Sequence, residues 1–286
     1  MKLRRFLYGA LLTLQAGLVL TGGAVRITGS GLGCPTWPEC TPGSYTPVPH
    51  QAEGQLHAWI EFGNRLLTFA LVAVSLAVLI HVLYKRRRDL RSLAIGQLLG
   101  ILGQGVLGGI TVLTDLHPLP VAGHLLLSII LIAGAASLYS RREYSARPRT
   151  DLDKLTKRIS LLHIGLTFAV IILGTIVTGS GPHAGDEKAQ RFGFDIRVVA
   201  WLHADAVIAL LGLTAAFFIL VRSDKELVRR IAVFTTIALA QGAIGYIQYF
   251  TGIPEILVAA HLLGATLVWI AAWRIRITVT KTLVIQ

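Results

Sequence analysis

The chain has 286 residues, 53% of them hydrophobic and only 15% charged, with a mean hydropathy of +0.65. That composition excludes an ordinary soluble domain and describes a membrane protein. The formal net charge of +12 would suit a nucleic-acid binder, but most of the 27 Lys and Arg fall in alternate connections between apolar segments, and nucleic acid is excluded as a partner.

Eight apolar segments reach the roughly 20 residues that a bilayer-spanning helix needs. They lie near 6–25, 57–84, 92–114, 119–140, 159–178, 197–221, 231–251 and 256–273. Helices satisfy their own backbone hydrogen bonds in lipid, and no segment alternates like a barrel strand, so an all-α membrane protein is expected. The basic groups Lys2 to Arg5, Lys85 to Arg91, Arg141 to Arg158, Arg222 to Arg230 and Arg274 to Lys281 share one side, which the positive-inside rule makes cytoplasmic. Both termini are expected there, with anionic lipid as the partner of the basic loops. The opening Met1-Lys2-Leu3-Arg4-Arg5 imitates a signal peptide. No small-residue cleavage site follows it, and it is read as the start of a retained span.

The first span leaves the membrane through Thr28-Gly29-Ser30-Gly31, and the fifth does so through Thr178-Gly179-Ser180-Gly181. The first outer loop, about 26–56, is the longest and carries both cysteines, in Cys34-Pro35-Thr36-Trp37-Pro38-Glu39-Cys40. Outside the cytoplasm a disulfide persists, and these two are expected to be bonded. A staple for a Pro-rich loop is the plainer reading, and an exchangeable dithiol the sharper one. Two thiols without a nearby His pair are too few for zinc.

The second span opens Gln55-Leu56-His57-Ala58-Trp59-Ile60-Glu61-Phe62-Gly63-Asn64-Arg65. An ionisable residue at a span is costly and so a functional candidate. Counting from Lys85 at about 1.5 Å per residue puts Arg65 at the outer edge of the hydrocarbon, with Glu61 and His57 stacked outward on the same face. An interfacial Glu–Arg pair beside a wet His is the plain alternative, weakest for Glu61. The third span is rich in glycine at spacings that let helices approach closely.

From Gln104-Gly105 to His124-Leu125-Leu126 the chain runs through a turn at Pro118 and Pro120. From Gln241-Gly242 to His261-Leu262-Leu263 it does so again, turning at Pro254. Each Gln precedes its His by 20 residues, and Gly108/Gly245, Ile110/Ile247, Thr114/Thr251, Val121/Val258 and Ala122/Ala259 match between them. Together with the shared exits this reads as duplication into two parallel four-helix-bundle repeats. The division is 1–140, a basic linker 141–158, and 159–286. Gln104 and Gln241 are candidates to bridge helices.

His203, on the sixth span, completes the set with His124 and His261. Leu56-His57-Ala58 echoes Leu202-His203-Ala204, but depth pairs His203 with Asn64 instead: Asn64 lies 21 residues from Lys85 and His203 lies 19 from Arg222, whereas His57 lies 28 from Lys85. His163 reads as a satisfied core His. His81 at the inner edge, and His50, His117 and His183 in outer loops, read as solvated. Three imidazoles in the outer half of the membrane point to axial ligation of haem iron, two of them paired in the second half. Histidines bridging the helices of a transporter are the competing reading.

The Cys pair, the Ile60-Glu61-Phe62-Gly63-Asn64-Arg65 segment, His124 in Ala122-Gly123-His124-Leu125-Leu126, His203, and His261 in Ala259-Ala260-His261-Leu262-Leu263 resemble the haem A synthase family along essentially the whole chain. The resemblance implies a plasma-membrane oxidoreductase that oxidises the C8 methyl of haem O to a formyl group through a hydroxylated intermediate. It implies Glu61 as the essential carboxylate, His203 and His261 as axial ligands of a haem b cofactor, and His124 as a ligand of the substrate haem. His57 and Arg65 are accessory candidates. Haem O synthase, the protohaem farnesyltransferase, is the implied upstream partner; homo-oligomerisation is left open. Many family members carry a second substrate ligand, His, where this chain has Asn64, and the Cys spacing is a little tighter. With His124 alone, the substrate iron would keep an open or water-filled position on the Asn64 side. A di-haem cytochrome exchanging electrons with quinone, and a haem or solute transporter, are the alternatives.

Overall fold

The structure, a computed structural model, describes residues 2–285, with the backbone alone at 144–147 and 282–285. Met1 and Gln286, the ends of the two expected halves, lie outside it. Among the described residues eight helices are long and apolar enough to cross a membrane: α1 (Lys2–Ile27), α2 (Gln55–Tyr84), α3 (Arg88–Leu113), α4 (Pro118–Arg141), α5 (Lys154–Ser180), α6 (Ile196–Leu220), α7 (Lys225–Phe250) and α8 (Glu255–Thr280). This is a multi-pass helical membrane protein. Most of the helices outrun the apolar segments at their basic ends, because Lys and Arg stems lie along apolar surface while their heads reach water. Local chemistry sets several starts. Asp153 caps α5 through Thr156 N–H, Asp224 caps α7 through the N–H groups of Glu226 and Leu227, and Pro118 opens α4 where its missing N–H is not needed.

One departure from an all-helical chain is a short antiparallel ribbon, β1 (Tyr144–Pro148) with β2 (Lys281–Ile285). It pairs the segment after α4 with the segment after α8, at the basic end. Neither strand has the length or alternation that marks a strand in sequence. Beside the ribbon, Arg149 donates to Asp151, to Asp224 and to the carbonyl of Thr278, tying the linker to α7 and α8.

The helices close into two rings of four. In the first, α1 touches α2, α2 touches α3, α3 touches α4, and α4 returns to α1; α5, α6, α7 and α8 repeat that order. The rings meet through α1, α4, α5 and α8. Trp269 and Trp273 of α8 fasten that seam, donating to the Ile129 carbonyl and the Ser137 hydroxyl of α4. A core runs up each ring from its basic end. In the second ring it stops short: none of residues 196–209, 239–250 or 255–265 is buried. The disulfide end of that ring is therefore loosely filled between α6, α7 and α8, at the level of His203 and His261.

Candidate functional site

His203 on α6 and His261 on α8 face each other with ring centres 6.4 Å apart and planes at 67°. Two imidazole nitrogens bound to one metal at about 2 Å each would hold their ring centres about 6 Å apart. The spacing fits an iron atom between them, and the loosely filled end of the ring surrounds it. His203 Nδ1 lies 3.1 Å from the Val170 carbonyl of α5, so that nitrogen carries the proton and Nε2 keeps its lone pair. His261 Nδ1 is buried without a partner.

A glycine on the preceding helix lies against each of the three imidazoles. A methyl group on Gly174 would lie 3.4 Å from His203 Cε1, one on Gly245 3.1 Å from His261 Cε1, and one on Gly108 3.2 Å from His124 Cε1. In all three cases the Nδ1 edge is the next nearest, at 3.6 to 3.8 Å. The bare backbone leaves room for the Cε1–Nδ1 edge of each ring against its neighbour helix. Gln104 donates to the His124 carbonyl and Gln241 to the His261 carbonyl, so the expected bridges form between α3 and α4 and between α7 and α8. These contacts hold the backbone of α4 and α8 at the residue whose side chain matters. Like His261, His124 keeps a buried Nδ1 with no partner.

In the first ring, Asn64 meets α1 at Thr21, whose hydroxyl donates to Asn64 Oδ1 at 2.7 Å, and its Nδ2 lies over Gly22. Matching the exits at Thr28 and Thr178 puts residues 20–24 of α1 opposite 170–174 of α5, the turn that His203 meets. His57 lies well outward of this, its Nδ1 2.9 Å from Ser30 Oγ. Asn64 thus meets, on α1, residues that the sequence match sets against the α5 turn next to His203.

Glu61 is buried, and both of its oxygens are engaged. Oε1 accepts from Arg65 Nη2 at 2.6 Å and Nε at 3.1 Å, and Oε2 accepts from the Cys34 N–H at 2.7 Å. Arg65 spends its remaining donors on the carbonyls of Cys34, Thr36 and Glu39. The Glu61–Arg65 pair of the plainer alternative is therefore formed, and it clamps the loop closed by the Cys34–Cys40 disulfide. Trp37 of that loop packs against Gly109 of α3, where a side chain would leave it no room. Three hydrogen bonds, two of them from a guanidinium, hold the carboxylate in one place.

Other histidines behave as structural groups. His163 is 1% exposed, with Nε2 3.1 Å from Thr214 Oγ1, as a satisfied core His should be. His81 meets the Tyr8 hydroxyl at 3.1 Å, His117 caps α4, and His183 Nε2 donates to the Ile253 carbonyl, so none of these three depends on solvent alone. Among the described residues no group of three or more His, Cys, Asp or Glu could hold a bare metal ion. Sequence reasoning missed Thr21, Trp37 and Gly174. Gly108 and Gly245 stood in the matched register, but only the folded helices show that they touch imidazoles.

Fold and site together define a multi-pass helical membrane protein with a facing histidine pair and a clamped disulfide loop. The chain belongs to the COX15-CtaA family, cytochrome oxidase assembly protein, which matches residues 4–185, more than half its length; this is the haem A synthase family. Glu61, Asn64 and His124 lie inside that match, and His203 and His261 lie beyond it. The haem A synthase of Shewanella oneidensis is 30% identical over 176 residues, covering 57% of this chain and 51% of that protein. That of Bradyrhizobium sp. strain BTAi1 is 28% identical over 204 residues, covering 59% and 56%. The chain thus spans about half the length of these two relatives. That of Methylobacterium sp. strain 4-46 is 26% identical over an alignment of 328 residues, covering 93% of this chain and 88% of that protein.

Proposed function

We propose that the chain is a haem A synthase, an oxidoreductase that takes the C8 methyl of haem O to a formyl group through a hydroxylated intermediate. Family membership supports this reading, and one observation carries the assignment to this molecule: the opposed His203 and His261 rings, 6.4 Å apart. On this reading the two rings of helices are duplicated halves. The first half, 1–140, takes the substrate haem on His124, and the second, 159–286, holds haem b on His203 and His261. When bound, haem b supplies one-electron redox chemistry. The basic end is cytoplasmic and the disulfide end faces outward across the plasma membrane, where haem O arrives from its farnesylating synthase.

The residues of the chain have four tasks. His203, its proton fixed on Nδ1 by Val170, would offer Nε2 to the haem b iron, and His261 would be its partner ligand. His124 orients the substrate from α4. Glu61 acts as a fixed negative charge rather than a free base, since Arg65 and the Cys34 N–H occupy both its oxygens. Such a charge would stabilise positive charge that develops as the methyl is oxidised. The clamped loop, with Trp37 on α3, keeps water from that end of the first half.

Mass analysis of porphyrins extracted after incubating the purified protein with haem O, under air and with an added electron mediator to take up the four electrons released, tests the proposal. Haem A and its hydroxylated precursor should accumulate beside unmodified haem b. Recovery of haem O unchanged, with two haems bound, would replace the synthase by a di-haem cytochrome. A colourless protein that binds no haem would end both readings.

A further inference from the structure

Asn64 stands at the ligand position of the first half and is not a good iron ligand, which leaves open what the position is for. Its Oδ1 is taken by the Thr21 hydroxyl at 2.7 Å. That hydroxyl has one proton, and its only other near acceptor, the Leu18 carbonyl, is further away at 3.2 Å. The amide is therefore held with oxygen toward α1 and nitrogen free. Beneath Nδ2 lies Gly22, which offers no side chain, and Nδ2 makes no hydrogen bond among the described residues. The corresponding residue of the second half is Ile171, which cannot orient an amide. Thr21 and Asn64 thus form a polar pair present on one side only. His57, the nearest imidazole on the same helix, is tied outward to Ser30 and does not reach the position.

We infer that the first half carries a small-ligand site at the Asn64 position, where the amide N–H of Asn64, oriented by Thr21, donates to a water, hydroxide or azide-class ligand on the substrate iron. This rests on the proposed binding of haem O by His124. Iron held by one imidazole keeps its opposite position open, and a donor placed there selects ligands that accept a hydrogen bond. The second half, with imidazoles on both sides, has no such position. One protein would then hold two haems that differ in what they can bind.

The test is optical and electron paramagnetic titration of the ferric, haem O-loaded protein with sodium azide. In the wild type the substrate haem is high-spin and turns low-spin with azide, while the second-half haem stays low-spin throughout and serves as the internal control. Asn64→His should be low-spin from the start and indifferent to azide. Asn64→Leu keeps the open position without the donor and should bind azide at least tenfold more weakly. Thr21→Val leaves Asn64 in place but unoriented, and should weaken azide several-fold. His57→Ala should leave all spectra as in the wild type.

A low-spin wild-type substrate haem that ignores azide overturns the inference, as does Asn64→Leu binding azide as tightly as the wild type. Loss of a low-spin signal in His57→Ala overturns it as well, and makes His57 the ligand. If haem O does not enter the wild-type first half at all, the underlying assignment of haem O to His124 falls, and the azide site with it.

Discussion

At the disulfide end the first ring of helices is covered and the second is open. Over the first, a loop is pinned by Glu61, Arg65 and its own disulfide, with Trp37 wedged on Gly109. Over the second, the buried core ends at Leu210, Ala238 and Thr266, and two imidazoles face each other in the space above it. The scaffolds match down to the glutamines that hold the His124 and His261 carbonyls. What differs is the residue opposite the shared histidine, Asn64 or His203, and the presence of a charged clamp. On the proposed function, the same bundle would hold a group permanently where both ligands are imidazoles, and work on one where a ligand is missing and a carboxylate is fixed nearby.

The largest effect should come from removing one of the paired imidazoles. His203→Ala or His261→Ala should empty the second half of haem b while haem O still enters the first. Pigment extraction reads both outcomes in one sample. If either substitution instead emptied the first half and spared haem b, the assignment of halves would be reversed.

Next in size is Glu61→Gln. A neutral amide keeps the shape of the side chain but leaves Arg65 without its counter-charge. Conversion should fall by about 10²-fold, the scale of losing one well-placed electrostatic group, with haem O binding nearly unchanged. The hydroxylated intermediate is the species to look for by mass. Equal loss of haem O binding would make Glu61 a loop support and nothing more.

Much of this comparison was legible in the sequence because helices in lipid are periodic and uniform. Span length, side preference of the basic residues, the 20-residue register from Gln to His, and the depth that pairs Asn64 with His203 all follow from regular rise along a helix. Contacts between a loop and a distant helix have no period. Nothing between Cys34 and Glu61, 27 residues apart, announces that the N–H of one is bonded to the carboxylate of the other. Gly174 escaped notice for a related reason: it lies outside the short motifs that α5 and α6 share with α1 and α2, so its contact with His203 shows only in three dimensions. The ribbon joining 144–148 to 281–285 pairs segments more than 130 residues apart, beyond the reach of local pattern.

Glycine substitutions sharpen the comparison by separating the halves with one methyl group each. Gly245→Ala puts a carbon 3.1 Å from His261 Cε1 and should tilt that ring, shifting the low-spin resonance of the second-half haem and loosening its retention several-fold. Gly108→Ala puts one 3.2 Å from His124 Cε1 and should leave that resonance untouched while weakening haem O binding. Cross-talk, with Gly108→Ala moving the second-half signal, would mean that the rings of helices do not act as separate holders.

The smallest effect expected is that of the disulfide. Cys34→Ser with Cys40→Ser removes the constraint on a short loop, worth about 2 kcal/mol by chain entropy. The Glu61 and Arg65 contacts are made to main-chain atoms, so they survive loss of the sulfur bond. Hydrogen exchange of the amides in 33–44 should quicken, that of Cys34 least, because its N–H is held by Glu61. The second-half haem spectrum should not change. If the Cys34 amide instead exchanged as fast as its neighbours, the disulfide would be holding Glu61 in place, and the two features that distinguish the first ring would be a single device.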